Sequence, residues 1–403
     1  MSWSTVVPQL PRQLWLLAAA AFVNFLGFMV MPFLVLYLTQ VTGFSVETAG
    51  VMLALFGAGN ILGAWIGGQL SDRIGPANVL ILSFTASAVF LSAIPALSAA
   101  VSVGCVLFVL AFANGAFRPA YDACVVLLCP QEERPRAYAV YVVAINIGAG
   151  IAAAIGGHLY GFNPSIIFYV DALTSLLAAA AVFLLLDHNA LRKTAATAIG
   201  KAAKPSQAPY RSASFLIVCL ATCILEAIGK QSSSTLPLYV SSDYGMTPQA
   251  FGNLLTVGHI AFAAAILPLS NWVKSKNQLN MAILGMGVVA LGFGALPFGS
   301  GVATLVMLYM LITFGQLLFY PAIMAIVMGQ AAQNDGKSGA YMGFYRTMQA
   351  VAGVAAPVVG TFIYVQASPE ALWLGSAALT VLTALVLGFG KIAARQVVSE
   401  SRS

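Results

Sequence analysis

Charge is what this chain has least of. Only 7% of its 403 residues are Asp, Glu, Lys or Arg, where soluble domains carry roughly 25%. Length alone would allow two or three soluble domains, but a surface so poor in charge excludes them. Histidine is scarcer still: His158, His188 and His259 are scattered over different segments. No H-E-x-x-H, no G-x-S-x-G and no histidine–carboxylate cluster occurs, so neither a metal site nor enzyme chemistry is expected. The absence of a G-x-x-x-x-G-K-[ST] loop excludes ATP hydrolysis by the chain itself. The five cysteines (Cys105, Cys124, Cys129, Cys219, Cys223) are odd in number and lie in or beside apolar runs. Cys219 and Cys223 share a helix face, but two thiols do not make a metal site. No cofactor is expected.

Apolar sequence fills the space that charge leaves. The chain is 60% hydrophobic, with a mean hydropathy of +0.91. Crossing a bilayer takes roughly 20 apolar residues per helix. Runs of that length fall at 14–38, 48–71, 77–97, 101–127, 137–160, 165–187, 213–240, 249–273, 279–298, 302–329, 339–365 and 371–394. The pattern predicts an all-α membrane protein of twelve transmembrane helices, with both termini on one side. The first run is too long for the core of a cleavable signal peptide, about 7–15 residues, and reads as a span.

The basic residues sort by side. Arg12, Arg73, Arg134, Arg136, Arg192, Lys193, Lys201, Lys204, Arg211, Lys274, Lys276, Lys337, Lys391, Arg395 and Arg402 all fall on the side that holds the termini. The opposite loops hold none, and Arg118, Lys230 and Arg346 lie inside runs. Basic loops stay in the cytoplasm, so both termini are expected there. The net charge of +6 then faces acidic lipid headgroups rather than nucleic acid.

The segment 188–212 is rich in Ala, Lys, Pro and Ser and has no apolar period, so it reads as a cytoplasmic linker between halves at 1–187 and 213–403. The halves repeat each other. Phe112-Ala-Asn114-Gly-Ala-Phe117-Arg118-Pro119-Ala120 aligns with Phe314-Gly-Gln316-Leu-Leu-Phe319-Tyr320-Pro321-Ala322. Ala137-Tyr138, Asn146, Gly150 and Gly157 align with Ala340-Tyr341, Gln349, Gly353 and Gly360. Parallel six-span repeats build one transporter architecture.

These features together resemble the major facilitator superfamily. Gly68-Gln-Leu70-Ser-Asp72-Arg73-Ile-Gly75 is similar to its cytoplasmic signature after span 2, with Pro76 and Ala77 in place of the trailing basic pair. Asn146-Ile-Gly148 through Gly156-Gly157 resembles the antiporter signature of span 5, with Ala152-Ala153 where that signature has Gly-Pro. Phe117-Arg118-Pro119, the run from Glu133-Arg134 to Tyr138, and Ser338-Gly-Ala-Tyr341-Met-Gly-Phe344 resemble proton-coupled bacterial multidrug exporters of the MdtH and LmrP type. The resemblance implies a major facilitator fold. Spans 1, 4, 7 and 10 would line a central cavity, and spans 2, 5, 8 and 11 would form a rocking interface. Gly148, Gly150, Gly156 and Gly157 would let helices pack closely there.

Charged side chains within a bilayer are costly, about 2.5–3.5 kcal/mol each at the centre on insertion scales, and mark function. Glu226 and Lys230 share a face of span 7 at i,i+4. They are either a self-neutralising ion pair or a working site, with Glu226 as proton acceptor. Arg118 and Asp122 repeat the arrangement on span 4, as a substrate or coupling site or as a gating salt bridge. Proton coupling is expected at Glu226 and Asp122. Arg118, Lys230, Asn24, Phe28 and Tyr320 are expected in the substrate cavity, and Asp72, Arg73 and Arg346 in gating. His259 and Asp171 read mainly as structural residues.

The expected activity is proton-coupled efflux of lipophilic small molecules by alternating access, from a monomer spanning a bacterial inner membrane many times. Its partners would be a small-molecule substrate, protons and the lipid bilayer. The alternative is export of an endogenous anionic or zwitterionic metabolite, such as a siderophore or a peptide-like compound, which would use the two buried bases.

Overall fold

In a bilayer every backbone polar group must find its partner within the protein, and helices do this segment by segment. A computed structural model of the chain describes residues 10–130, 133–186, 213–332 and 338–400. Its elements are α1 (Arg12–Leu26), α2 (Val30–Leu36, continued by a π-helical turn over Tyr37–Val41), α3 (Val46–Ile74), α4 (Pro76–Ala93), α5 (Ala100–Leu128), α6 (Arg134–Phe162) and α7 (Ile166–Leu185). They continue as α8 (Ala213–Ser234), α9 (Leu236–Ser242), α10 (Pro248–Lys274), α11 (Gln278–Ala295), α12 (Gly301–Ala332), α13 (Ser338–Gln366) and α14 (Pro369–Glu400). Among the described residues there are 12 helices long and apolar enough to cross a membrane. This is the all-α, twelve-span fold that the apolar runs predict. The expected linker, 188–212, lies outside the described residues.

Local chemistry sets the joints. The Ser45 hydroxyl caps α3 by accepting from the Thr48 N–H at 3.2 Å, and the Asn277 side chain caps α11 by accepting from the Asn280 N–H at 3.1 Å; both satisfy donors that a helix start leaves open. Gly75, at φ 91°, turns the chain between α3 and α4 in a conformation that a side chain would strain. Pro76 then opens α4, where a missing N–H costs nothing.

Two spans are broken where one continuous helix was expected. Span 1 divides into α1 and α2 across Gly27-Phe28-Met29, and span 7 into α8 and α9 at Thr235. Pro32 and Pro237 lie in the first turns of α2 and α9. A proline ring clashes with the carbonyl four residues before it and donates no hydrogen bond. Each therefore starts a new segment more readily than it continues an old one.

The repeat recurs in the backbone. Gly43 and Gly245, both at positive φ, follow spans 1 and 7. The Phe44 N–H closes on the Leu38 carbonyl at 2.9 Å, and the Met246 N–H on the Val240 carbonyl at 2.9 Å. Short 3-10 turns end α4 at Ile94–Ala96 and α11 at Leu296–Phe298. Pro119 in α5 matches Pro321 in α12.

By packing, the chain divides into two compact units. Of the described residues, one gathers those within 1–202 with Leu236–Ala264, and the other those within 203–235 with those within 265–403. In the first unit α3 lies against α5 along Gly59, Gly63 and Gly67. A Cβ on Gly63 would stand 1.9 Å from the Phe112 carbonyl oxygen, so only glycine lets the backbones approach this closely. The same unit holds α9 and the start of α10, which pack on α2 and α6: Gly252 meets the Ala153 carbonyl, and Phe33 meets Phe251 edge-on at 5.9 Å. In the second unit α11 packs on α12, where Gly285 meets the Gly315 carbonyl.

Candidate functional site

The polar residues that sequence alone singles out fall into separate clusters, and each lies within one unit. In the second unit, α8 carries a polar stripe of Cys223, Glu226, Lys230 and Ser233, all partly or fully exposed. Such a stripe on a membrane helix has no place against lipid. Glu226 is half-buried and accepts a hydrogen bond from the Tyr320 hydroxyl of α12 at 2.6 Å. That length is typical of a charge-assisted O–H···O⁻ bond. Gln316, one turn before Tyr320, faces Gly229, where a Cβ would lie 3.4 Å from its Nε2 and 3.9 Å from the Tyr320 hydroxyl. Helix α8 therefore runs in ordinary contact with both polar groups at Gly229.

Glu226 and Lys230 share a face yet form no ion pair, and the exposed Lys230 ammonium has no carboxylate partner among the described residues. The i,i+4 spacing fixes the faces of two side chains but not where their tips go. Glu226 turns to Tyr320 instead. Gln231, the next residue, is buried. Its Nε2 donates to the Ala356 carbonyl of α13 at 2.9 Å, and its Oε1 accepts from the hydroxyls of Ser234 and Thr235 at 3.0 and 2.9 Å. These bonds hold the break in span 7. On α13, Arg346 donates to the Gln349 Oε1 at 2.8 Å and lies over the Tyr345 ring at 5.8 Å.

In the first unit, α5 and α6 bring Arg118, Asp122, Tyr138 and Tyr141 together. Tyr138 is hydrogen-bonded to the Asp122 carboxylate, and the Arg118 guanidinium lies 5.8 Å from the centre of the Tyr141 ring. Beside them runs an aromatic chain: Phe28 to Phe25 at 5.3 Å, Phe25 to Phe117 at 6.2 Å, and Phe117 to Tyr121 at 5.8 Å. Phe28 is the exposed end of it. Asn24 turns from this chain and donates to the Ser175 hydroxyl of α7 at 3.4 Å. Asp72 and Arg73 are exposed at the end of α3.

His259 of α10 faces Asn146 of α6, with Nδ1 and Oδ1 3.4 Å apart. One turn earlier, the Thr256 hydroxyl donates to the Gly150 carbonyl at 2.7 Å. The glycines of α6 are close-packing points, as their pattern predicts: Gly148 lies on Phe22 and Phe25, Gly156 on Met29, and Gly157 on the Pro248 carbonyl. Among the described residues no group of three or more His, Cys, Asp or Glu could hold a metal ion.

Sequence reasoning alone passes over Tyr138, Tyr141, Tyr345 and Gln231. Tyr138 carried a signal, because it aligns with Tyr341 in the repeat. Gln231 also carried one, as a long amide in an apolar span six residues before Pro237.

The comparisons agree with this architecture. The model of the Major Facilitator Superfamily matches residues 16–336 and 218–401. The MFS-type transporter YqjV of Bacillus subtilis is 26% identical over 339 residues, covering 82% of this chain and 81% of that protein. Multidrug resistance protein MdtH of Salmonella typhi is 25% identical over 281 residues, covering 68% and 67%. Multidrug resistance protein 2 of Bacillus subtilis is 23% identical, covering 87% and 88%. A crystal structure of the peptide transporter POT in complex with sulfate superposes with a TM-score of 0.75 at 17% identity, covering 98% of each chain, which is a likeness of fold.

Proposed function

Since the chain belongs to the Major Facilitator Superfamily, a family of multi-pass membrane transporters, we propose that it is a secondary active transporter that moves lipophilic small molecules out of the cell in exchange for protons. Both termini would lie in the cytoplasm of a bacterium, with the chain a monomer in the inner membrane and the proton gradient its energy source. The observation that carries this reading is the 2.6 Å bond between Tyr320 and the half-buried Glu226. A carboxylate at that depth can be held ionised by a phenol donor when water is near, and can take a proton when water leaves. Exchange then follows from a rule that the site moves only when it carries either a proton or a substrate. Asp122, with Tyr138, would be the corresponding acid of the first unit. Asp72, Arg73 and Arg346 would act in gating.

The test uses proteoliposomes with an imposed pH gradient and ethidium as a lipophilic probe. Glu226→Gln should abolish gradient-driven accumulation while leaving equilibrium exchange of the dye. Tyr320→Phe should retain coupling but shift its pH profile. Unaltered coupling in Glu226→Gln would refute the assignment.

A second reading has its own observation. The Lys230 ammonium is exposed and answered by no acid among the described residues. A bound carboxylate or other anion would answer it, so the exported compound could be an anionic or zwitterionic metabolite. Arg118 would then serve the same ligand.

A further inference from the structure

One buried acid is left over by this scheme. Asp171 lies in the second turn of α7 and is 9% exposed. It belongs to neither polar cluster described above. Its carboxylate accepts a hydrogen bond from the Val30 backbone N–H. Val30 opens α2, immediately after the break in span 1, and the residue before it, Met29, supplies no side-chain cap. Val30 is the first residue of α2, so its N–H has no partner within that helix. In hydrocarbon such a donor must be answered, and the acid of α7 answers it.

The rest of the break is fitted to that acid. Gly27 has no room for a side chain: a Cβ there would stand 1.8 Å from the Thr174 Oγ1 and 2.8 Å from the Asp171 Oδ1. Thr174 in turn donates to the Asp171 carbonyl at 2.9 Å, and Asn24 reaches Ser175 at 3.4 Å. One turn of α7 therefore grips both sides of the break.

Among the described residues nothing basic balances the carboxylate. Helix α4, packed on α7, has no ionisable side chain at all. Helix α1 brings only Arg12, about 27 Å away along the axis from Val30. Tyr37 and Tyr160 are the titratable groups that α2 and α6 bring to this side, Tyr37 edge-on to Phe168 and Tyr160 stacked on Phe33. Tyr169 of α7 itself is exposed. A carboxylate taken out of water without a counter-charge is costly. Few stabilising bonds offset that here, and a single proton removes it.

We infer that Asp171 is a second proton-binding site, which grips the hinge of span 1 when ionised and loosens it when protonated. Binding converts –COO⁻ to –COOH and leaves the Val30 N–H a neutral, weaker acceptor. Segment α2 is then free to turn about Gly27–Met29. The inference extends the proton-coupling reading, but its readouts need no substrate and no Glu226.

The experiment has two measurements on purified protein. The first is pH-difference infrared spectroscopy of the carboxylic C=O stretch. Wild type should gain a protonated-acid band on acidification that is absent in Asp171→Asn and kept in Glu226→Gln. The second is electron–electron resonance between spin labels at positions 19 and 41, on either side of the break, in a background with the native cysteines replaced. The distance distribution should broaden on acidification in wild type and stay fixed across pH in Asp171→Asn. Gly27→Ala, whose added methyl displaces the carboxylate, should give the low-pH distribution at every pH. This variant also keeps the test alive if the Asn variant does not fold. A wild-type band unchanged in Asp171→Asn, or a distribution that follows sodium rather than pH, would overturn the inference. Either result would leave the role of Glu226 standing, whereas loss of coupling defects in Glu226→Gln would remove that role and leave this one.

Discussion

At Glu226 a carboxylate meets a phenol 94 residues further along the chain, and at Lys230 an ammonium meets no carboxylate among the described residues. Both residues were legible in the sequence, because a charge within an apolar run of span length is costly and needs a reason. Their partners were not. Helical spacing says which residues share a face, whereas the direction of a flexible tip depends on what a distant segment offers it. Tyr320 was legible only as an aromatic residue of span 10, with nothing to mark its hydroxyl as the partner of Glu226. The Lys230 site gives a residue-scale prediction. Lys230→Gln should weaken binding of a lipophilic carboxylate such as a long-chain acyl glycine by about tenfold, and leave ethidium binding unaltered. Lys230→Arg should restore it. Thermal-shift titrations of purified protein with each probe decide the matter, and equal shifts in wild type and Lys230→Gln would remove the anionic reading.

Among the elements, the twelve spans were legible to within a few residues, since length and apolarity suffice to mark a helix that crosses hydrocarbon. The breaks in spans 1 and 7 were not read, although Pro32 and Pro237 announce them. An apolar run looks the same whether one helix or two pass through it, and only proline geometry separates the cases. The reach of the glycine stripe on α3 was equally hidden. The role of Gly59, Gly63 and Gly67 appears only when α5 lies against them. Gly63→Leu should therefore lower the melting temperature of the purified protein markedly. Overpacking of a close contact costs about 1–3 kcal/mol, and here the obstacle is backbone, the Phe112 carbonyl. Scanning fluorimetry in detergent measures it. A melting temperature unchanged within error would mean that the two helices can part freely.

For the whole molecule, the sequence repeat was legible from Phe112–Ala120 and Phe314–Ala322, and the paired glycines Gly43 and Gly245 extend it to turns that no residue match had marked. The division into packing units was not legible, because it does not follow the order of the chain. Helix α10 begins in one unit and ends in the other, and its first turns hold Thr256 on Gly150 and Gly252 on Ala153. This has a consequence for genetic dissection. A gene cut within 188–212 would yield two six-span polypeptides, the first of which lacks part of its own packing unit. The first fragment would lack the segment that covers Gly150, Ala153 and Gly157, and the second would carry that segment with nothing to cover. Co-expressed fragments should therefore recover each other from the membrane and purify together, while Gly252→Leu in the second fragment abolishes the recovery. Each fragment made alone should be degraded, as an orphaned subunit is.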